Sequence, residues 1–266
     1  MNLAIVGSRT VTDMEFLKNI MKEIPEPSMI ISGGALGADS LAQNYAKKKG
    51  LPIKIIYPNW DLHKKAAGFK RNVTIVDESD LILVLWDGIS KGATHDINLC
   101  ISKRKPCKVF AYGLPTEPST KEDIHGFQDN NRWLSNMWPC DVKVGPHTFP
   151  SSENAYQASK FYKHPEILEK FTQITSIESK VLAKKLTQEK GLDDPDFHSK
   201  KEEIMRRTVK RKFDQNEYLK RKLILTGDYL LEETNDWHDT HWGVCDGVGK
   251  NILGKILMEL REEFST

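Results

Sequence analysis

Five short runs, Leu3–Val6, Met29–Ser32, Ile53–Tyr57, Leu81–Trp86 and Lys108–Ala111, are separated by stretches of helical periodicity near 13–23, 38–49, 65–77 and 94–103. Short, largely apolar runs without polar alternation read as strands buried on both faces, and strands that alternate with helices are joined by crossovers. This pattern constrains the fold most: it predicts a parallel sheet covered by helices, an α/β Rossmann-like domain over residues 1–112. Residues 113–123, Gly-Leu-Pro-Thr-Glu-Pro-Ser-Thr-Lys-Glu-Asp, break the alternation and read as a proline-rich linker. Residues 124–266 are expected to form a second, mainly α (α+β) domain with strand-like pieces at 140–149. A length of 266 residues fits two domains.

The turns that follow the first and second strands carry Gly7-Ser8-Arg9 and Gly33-Gly34-Ala-Leu-Gly37-Ala-Asp39. Glycines there let backbone N–H groups converge on an anion at a helix start. Arg9 suits a phosphate and Asp39 a ribose hydroxyl. A third turn, Trp86–Thr94, follows the fourth strand, and ligands of parallel sheets bind at the carboxyl ends of strands. The competing reading is that these glycines only make tight strand-to-helix turns. Neither a Walker A loop nor a GxGxxG first turn is present.

In the second half, Phe149-Pro-Ser-Ser-Glu-Asn-Ala-Tyr-Gln-Ala-Ser-Lys-Phe161 places an acid on a lysine-bearing face. With Ser151 or Ser152 as the cap, Glu153 falls in the first helical turn, and Tyr156, Gln157 and Lys160 follow at i+3, i+4 and i+7. Taken alone, the stretch fits a solvated charge stripe equally well. A second cluster runs Asp236-Trp-His-Asp-Thr-His-Trp-Gly243, then Gly247 to Met258, with Lys250 or Asn251 at a helix start. Its acids, indoles and glycines imply backbone brought close to a ligand.

Composition narrows the classes. Residues 1–114 hold 16 Lys+Arg against 11 Asp+Glu, and residues 115–266 hold 23 against 26, so neither half has the basic excess of a dedicated nucleic-acid binder. Arg206–Lys212 is locally basic, which a solvated helix face explains. No apolar run approaches the roughly 20 residues that span a bilayer, and the amino terminus lacks the features of a signal peptide. Cys100, Cys107, Cys140 and Cys245 are widely spaced, which favours reduced thiols and a cytoplasmic setting. His238 and His241 beside Asp236 and Asp239 make a weak ligand set, so no metal is expected. No cofactor is expected either.

Leu134-Ser-Asn136, Ser152-Glu153, Tyr156-Gln157, Lys160-Phe161, Met205, Lys212-Phe213, Thr226-Gly227, Asp239, Trp242-Gly243 and Asn251 to Arg261 together resemble the NADAR family, over roughly residues 125–264. One departure is Phe197, where many relatives carry tryptophan. The turns of the first half, with Lys65-Ala-Ala-Gly-Phe-Lys-Arg-Asn72 between them, are similar to the SLOG superfamily of Rossmann-like nucleotide-ligand domains over residues 1–112. The third turn lacks the Pro-Gly-Gly-x-Gly-Thr-x-x-Glu motif of relatives that cleave ribosyl–base bonds, and Asp96 lies only near the place of its glutamate. That resemblance implies ligand binding rather than catalysis in the first domain.

The NADAR resemblance implies an N-glycosidase acting on phosphorylated ribosides. The expected substrate is ADP-ribose on guanine, free or in nucleic acid, ahead of riboflavin-pathway ribosylaminopyrimidine phosphates. Breaking a ribosyl C–N bond builds positive charge on the sugar, which Glu153 as a carboxylate would stabilise. Lys160 has three readings: a phosphate-holding cation, an amine that attacks the opened sugar, or a simple ion-pair partner of Glu153. Asp239 is expected as a second acid, Trp242 as a stacking face, and Asn136, Tyr156, Gln157, Gly243 and Asn251 as substrate contacts. The alternative is a non-catalytic sensor of NAD-derived nucleotides, and an oligomer stays compatible with either reading.

Overall fold

The computed structural model describes residues 1–266, which divide into two compact units, Met1–Gly113 and Leu114–Thr266. In the first, β1 (Asn2–Gly7), α1 (Met14–Met21), β2 (Met29–Ser32), α2 (Ala38–Lys49), β3 (Ile53–Ile55), α3 (Trp60–His63), α4 (Ala67–Glu78), β4 (Leu81–Trp86), α5 (Lys91–Ser102) and β5 (Cys107–Ala111) follow one another. The five strands pair in parallel in the order β3-β2-β1-β4-β5. The expected Rossmann-like alternation is therefore present.

The centre of this sheet is dry because β1 and β4 are apolar on both faces. Leu3, Ile5, Leu83 and Leu85 pack with Leu17 and Ile20 of α1 and Leu41 and Ala42 of α2. Not every strand is buried, however. β3 and β5 are edge strands with one neighbour each, and Ile53 and Lys54 are exposed. β3 also stops at Ile55, short of the expected Tyr57, which is itself exposed. α5 starts at Lys91, earlier than its apolar periodicity suggests, because Ser90 caps it by accepting from the Ala93 N–H. The chain order reverses at β1 and β4, so the crevice outside their carboxyl ends is the switch point of the sheet.

The second unit is mainly helical with small sheets. It holds β6 (Ile124–His125), the hairpin β7 (Val142–Val144) and β8 (His147–Phe149), then α6 (Ser152–Ala158), α7 (Pro165–Thr172), α8 (Ser176–Lys190), α9 (Phe197–Asp214) and α10 (Glu217–Ile224). After these come β9 (Leu231–Glu232), β10 (Val244–Cys245), β11 (Val248–Gly249) and α11 (Ile252–Ser265). Within residues 113–123, Ser119 donates its Oγ to the Lys222 carbonyl and Asp123 accepts from the Leu230 N–H, so this stretch is tied onto the second unit.

All seven residues of α6 are buried, so the helix is no solvated stripe. Ser151 caps it by accepting from the Asn154 N–H at 3.1 Å, and the Asn154 amide donates to the Phe171 and Ile174 carbonyls. Phe149, Ala155, Ala158, Phe161, Phe171 and Leu186 form the apolar cluster beneath it. α8 is held at both ends, by a Thr175–Glu178 capping box and by Gly191 in the left-handed conformation.

Candidate active site

A cavity of about 370 Å³ opens in the second unit. Asn136, Glu153, Tyr156, Gln157, Lys160, Asp239 and Trp242, all singled out from the sequence, line it together. The loop at Asn136 sets the start of α6. Its carbonyl accepts from the Glu153 N–H at 2.9 Å and from Ser152 Oγ, and its side-chain oxygen accepts a second bond from Ser152. Asn136 is thus a positioning residue for Glu153 as well as part of the wall.

Glu153 Oε1 accepts from Gln157 Nε2 at 2.7 Å, the i,i+4 contact expected of a helix. The Tyr156 ring meets Phe197 at 5.4 Å and Trp242 edge-on at 5.8 Å, giving the cavity an aromatic wall. Burial, with the neighbouring Glu153 and Asp239 charges, pushes the Tyr156 phenol up, so it stays a neutral hydroxyl. Phe197, the departure from the tryptophan pattern, keeps an aromatic face there, with Lys160 Nζ 5.4 Å from its centroid. Burial also pulls the Lys160 ammonium below its usual value, against the opposing pull of Glu153 and Asp193. Asp239 spends Oδ1 on the His241 and Trp242 N–H groups, at 3.0 and 2.9 Å, so half of this carboxylate shapes its own loop.

Gly243 and Asn251, expected as substrate contacts, lie outside the residues that line the cavity. Asn251 sits in the left-handed conformation (φ 49°) ahead of α11 and uses both side-chain amide atoms on backbone, accepting from the Glu233 N–H and donating to the Leu231 carbonyl. Gly243 packs against the Glu233 carbonyl so closely that a Cβ has no room.

Glu233 itself was not foreseen. It lines the cavity, its Oε2 is buried without a protein hydrogen-bond partner, and burial with the Asp239 and Glu153 charges pushes its carboxyl up to about 7. In sequence it is one of two adjacent acids beside a short apolar run, with no spacing that ties it to Glu153. Arg132, Lys180 and Lys201 were also missed. They add positive charge around the opening, Lys201 lying 5.9 Å from the Trp242 ring centre.

The crevice of the first unit, about 440 Å³, is lined by Gly7, Arg9 and Asp39 among the expected residues. Ser8, Gly33, Gly34 and Gly37 lie outside this lining. Ser8 is fully buried and accepts from the Asp87 N–H, joining the turn after β1 to the turn after β4. A side chain on Gly33 would overlap the Arg71 guanidinium, on Gly34 the Tyr57 ring, and on Gly37 the Arg9 backbone. Asp39 Oδ2 accepts from the Ala35 N–H at 3.0 Å and pairs with Arg71 at 3.4 Å, so that oxygen already has donors. Arg71, Asn72 and Asp96 also line it, and burial pushes the Asp96 carboxyl up to about 8.

The NADAR domain family model matches residues 124–265, and the model described as the YspA, cpYpsA-related SLOG family matches residues 1–63. A Vibrio vulnificus protein named riboflavin biosynthesis protein VVA0006 is 38% identical over 137 residues, covering 51% of this chain and 36% of its own length. An Escherichia coli protein named N-glycosidase YbiA is 32% identical over 150 residues, covering 55% of this chain and 86% of its own. An NMR structure of E. coli YbiA covers 57% of this chain and 88% of its own, at 27% identity and a TM-score of 0.47.

Proposed function

The chain belongs to the NADAR family, and on that premise we propose that its second unit hydrolyses the N-ribosyl bond of a phosphorylated riboside. The observation that carries the reading is the Glu153 carboxylate, held by Gln157 in a cavity walled by Tyr156, Phe197 and Trp242. A carboxylate so placed faces the positive charge that develops at C1′, and the aromatic wall receives the base. Arg132, Lys180 and Lys201 around the opening suit the phosphate end. The name N-glycosidase borne by the E. coli relative supports the reaction class.

ADP-ribose on guanine is the first substrate proposed. Ribosylaminopyrimidine phosphates are the second, and the riboflavin-biosynthesis name of the Vibrio relative speaks for them. Lys160, desolvated beside Glu153, suits attack on the opened sugar as an amine as well as holding phosphate as a cation. The first unit is proposed to bind a nucleotide-like ligand at its switch-point crevice, with Arg9 and Arg71 toward the phosphate.

The test incubates wild-type and Glu153→Gln protein with an ADP-ribosylated guanine oligonucleotide and with the ribosylaminopyrimidine phosphate, following base and sugar phosphate by mass spectrometry. Glu153-dependent release from either substrate supports the enzyme. Binding without release from both supports the sensor reading instead.

A further inference from the structure

Two residues of the carboxyl-terminal motif that do not reach the cavity converge on one that does. Asn251 accepts from the Glu233 N–H at 3.1 Å and donates to the Leu231 carbonyl at 2.9 Å. Val244 donates its N–H to the Glu233 carbonyl at 2.8 Å, and the bare Cα of Gly243 lets that carbonyl approach. The backbone of Glu233 is therefore clamped on both sides, and its side chain lines the same cavity as Glu153.

The two carboxyl groups have different surroundings. Glu153 Oε1 accepts a hydrogen bond from Gln157 Nε2 at 2.7 Å. Glu233 Oε2 is buried and receives no donor from the protein, so an ionised form would leave a buried charge unpaired, whereas a neutral carboxyl has a proton to give. The charged groups that act on Glu233 are Glu153 from α6, Lys180 from α8 and Asp239 from the loop after β9, and Lys160 lines the same cavity. Arg132, His198 and Lys201 line the same cavity. Burial, Asp239 and Glu153 push the Glu233 carboxyl up, Lys180 opposes them, and the net position is about 7. Acid–base pairs in hydrolases are built this way, from two carboxyls whose environments differ.

We propose that Glu233 is the proton donor to the departing base, forming with Glu153 an acid–base pair across the scissile N-ribosyl bond. This rests on the N-ribosyl hydrolase reading of the same cavity. As the C1′–N bond breaks, its electron pair goes to nitrogen, and that nitrogen takes the Glu233 proton. The nucleophile that takes C1′, water or the Lys160 amine, surrenders a proton to Glu153; where the amine attacks, water then hydrolyses the sugar–Lys160 bond and frees both the sugar and the amine. One proton leaves the pair and one enters, and exchange with solvent restores Glu233 for the next turnover. Asn251 and Gly243 then act as positioning residues through Glu233.

The experiment compares wild-type, Glu233→Gln and Glu233→Asp protein on two leaving groups over pH 5–9. One is whichever N-riboside phosphate the wild type cleaves, whose amine must be protonated to leave. The other is p-nitrophenyl riboside 5-phosphate, whose phenolate leaves without a proton. Glu233→Gln should lower kcat on the N-riboside by about 10²–10⁴-fold, leave KM within a few-fold, and lose far less on the p-nitrophenyl compound. Wild-type activity should fall as pH rises through about 7, where Glu233 ionises, and this limb should vanish in Glu233→Gln. Glu233→Asp, which keeps an acid on a shorter arm, should keep the limb at reduced kcat. Equal loss on both substrates, or near-wild-type cleavage of the N-riboside by Glu233→Gln, overturns the proposal while leaving the hydrolase standing. A wild type that cleaves no N-riboside overturns the hydrolase reading, and the proposal with it.

Discussion

Gln157 donates its amide to the carboxylate of Glu153 at 2.7 Å, one helical turn away on α6, in a helix with no exposed residue. The contact fixes one oxygen of Glu153 and leaves the other for the cavity. Removing the charge while keeping the shape tests its role. Glu153→Gln should fold normally and lose turnover by about 10²–10⁴-fold with binding retained, read by single-turnover mass spectrometry and calorimetry.

Replacing Gln157 with Glu sets a second carboxylate beside the first. Like charges at i,i+4 repel and the amide donor to Glu153 is lost, so Gln157→Glu should lower kcat/KM well below wild type. Steady-state kinetics giving a near-wild-type kcat/KM for Gln157→Glu would show that the Gln157 contact does not hold Glu153 for the reaction.

Lys160 is expected to be trapped. Its desolvation favours the neutral amine, so borohydride added during turnover should reduce a sugar adduct onto the peptide that contains Lys160. Peptide mapping reads the mass. No adduct, with Lys160→Arg retaining most activity, would instead assign a phosphate-holding cation.

Lys212 is a structural counterpart, fully buried and donating Nζ to the Trp133 and Ser135 carbonyls at 2.7 and 2.8 Å. Lys212→Met should destabilise the second unit by about 2–4 kcal/mol, because two buried carbonyls lose their donor. Burial pulls this ammonium down to about 8. Between pH 8 and the ordinary lysine value of about 10.4, this side chain binds a proton in the unfolded chain that it lacks in the native one, so its own contribution to stability rises with pH there. Urea titrations across that window should give a more positive slope of stability against pH in wild type than in Lys212→Met, the Cys140 thiol, which burial pushes up to about 11, contributing the opposite sign.

In the first unit, Arg71 pairs with Asp39 in the crevice and needs Gly33 to pass. Arg71→Ala should weaken nucleoside monophosphate binding about 10–100-fold, the scale of a lost charge-assisted contact. Gly33→Ala should do the same, since a Cβ there displaces the guanidinium. Calorimetry on each variant checks both.

What could be read from the chain follows the range of the interaction. The parallel sheet was legible because β1, β2 and β4 are short apolar runs between helices, and the neighbours that bury them do not change that pattern. Glu153, Tyr156, Gln157 and Lys160 were legible because helical spacing alone places them on one side. Edge or centre was not legible for Ile53–Ile55, since exposure depends on which strand pairs where.

The sequence by itself therefore determined the α/β character of the first unit, the helical character of the second and the local face that carries Glu153. Only the tertiary structure decided that Glu233, 80 residues further on, shares the cavity with Glu153, and that Gly243 and Asn251 pack against its backbone. It also decided that Arg71 pairs with Asp39 from a separate helix. Periodicity records which residues of one element lie together. Pairing between elements is set by packing and by backbone groups finding partners, and linear spacing does not record it.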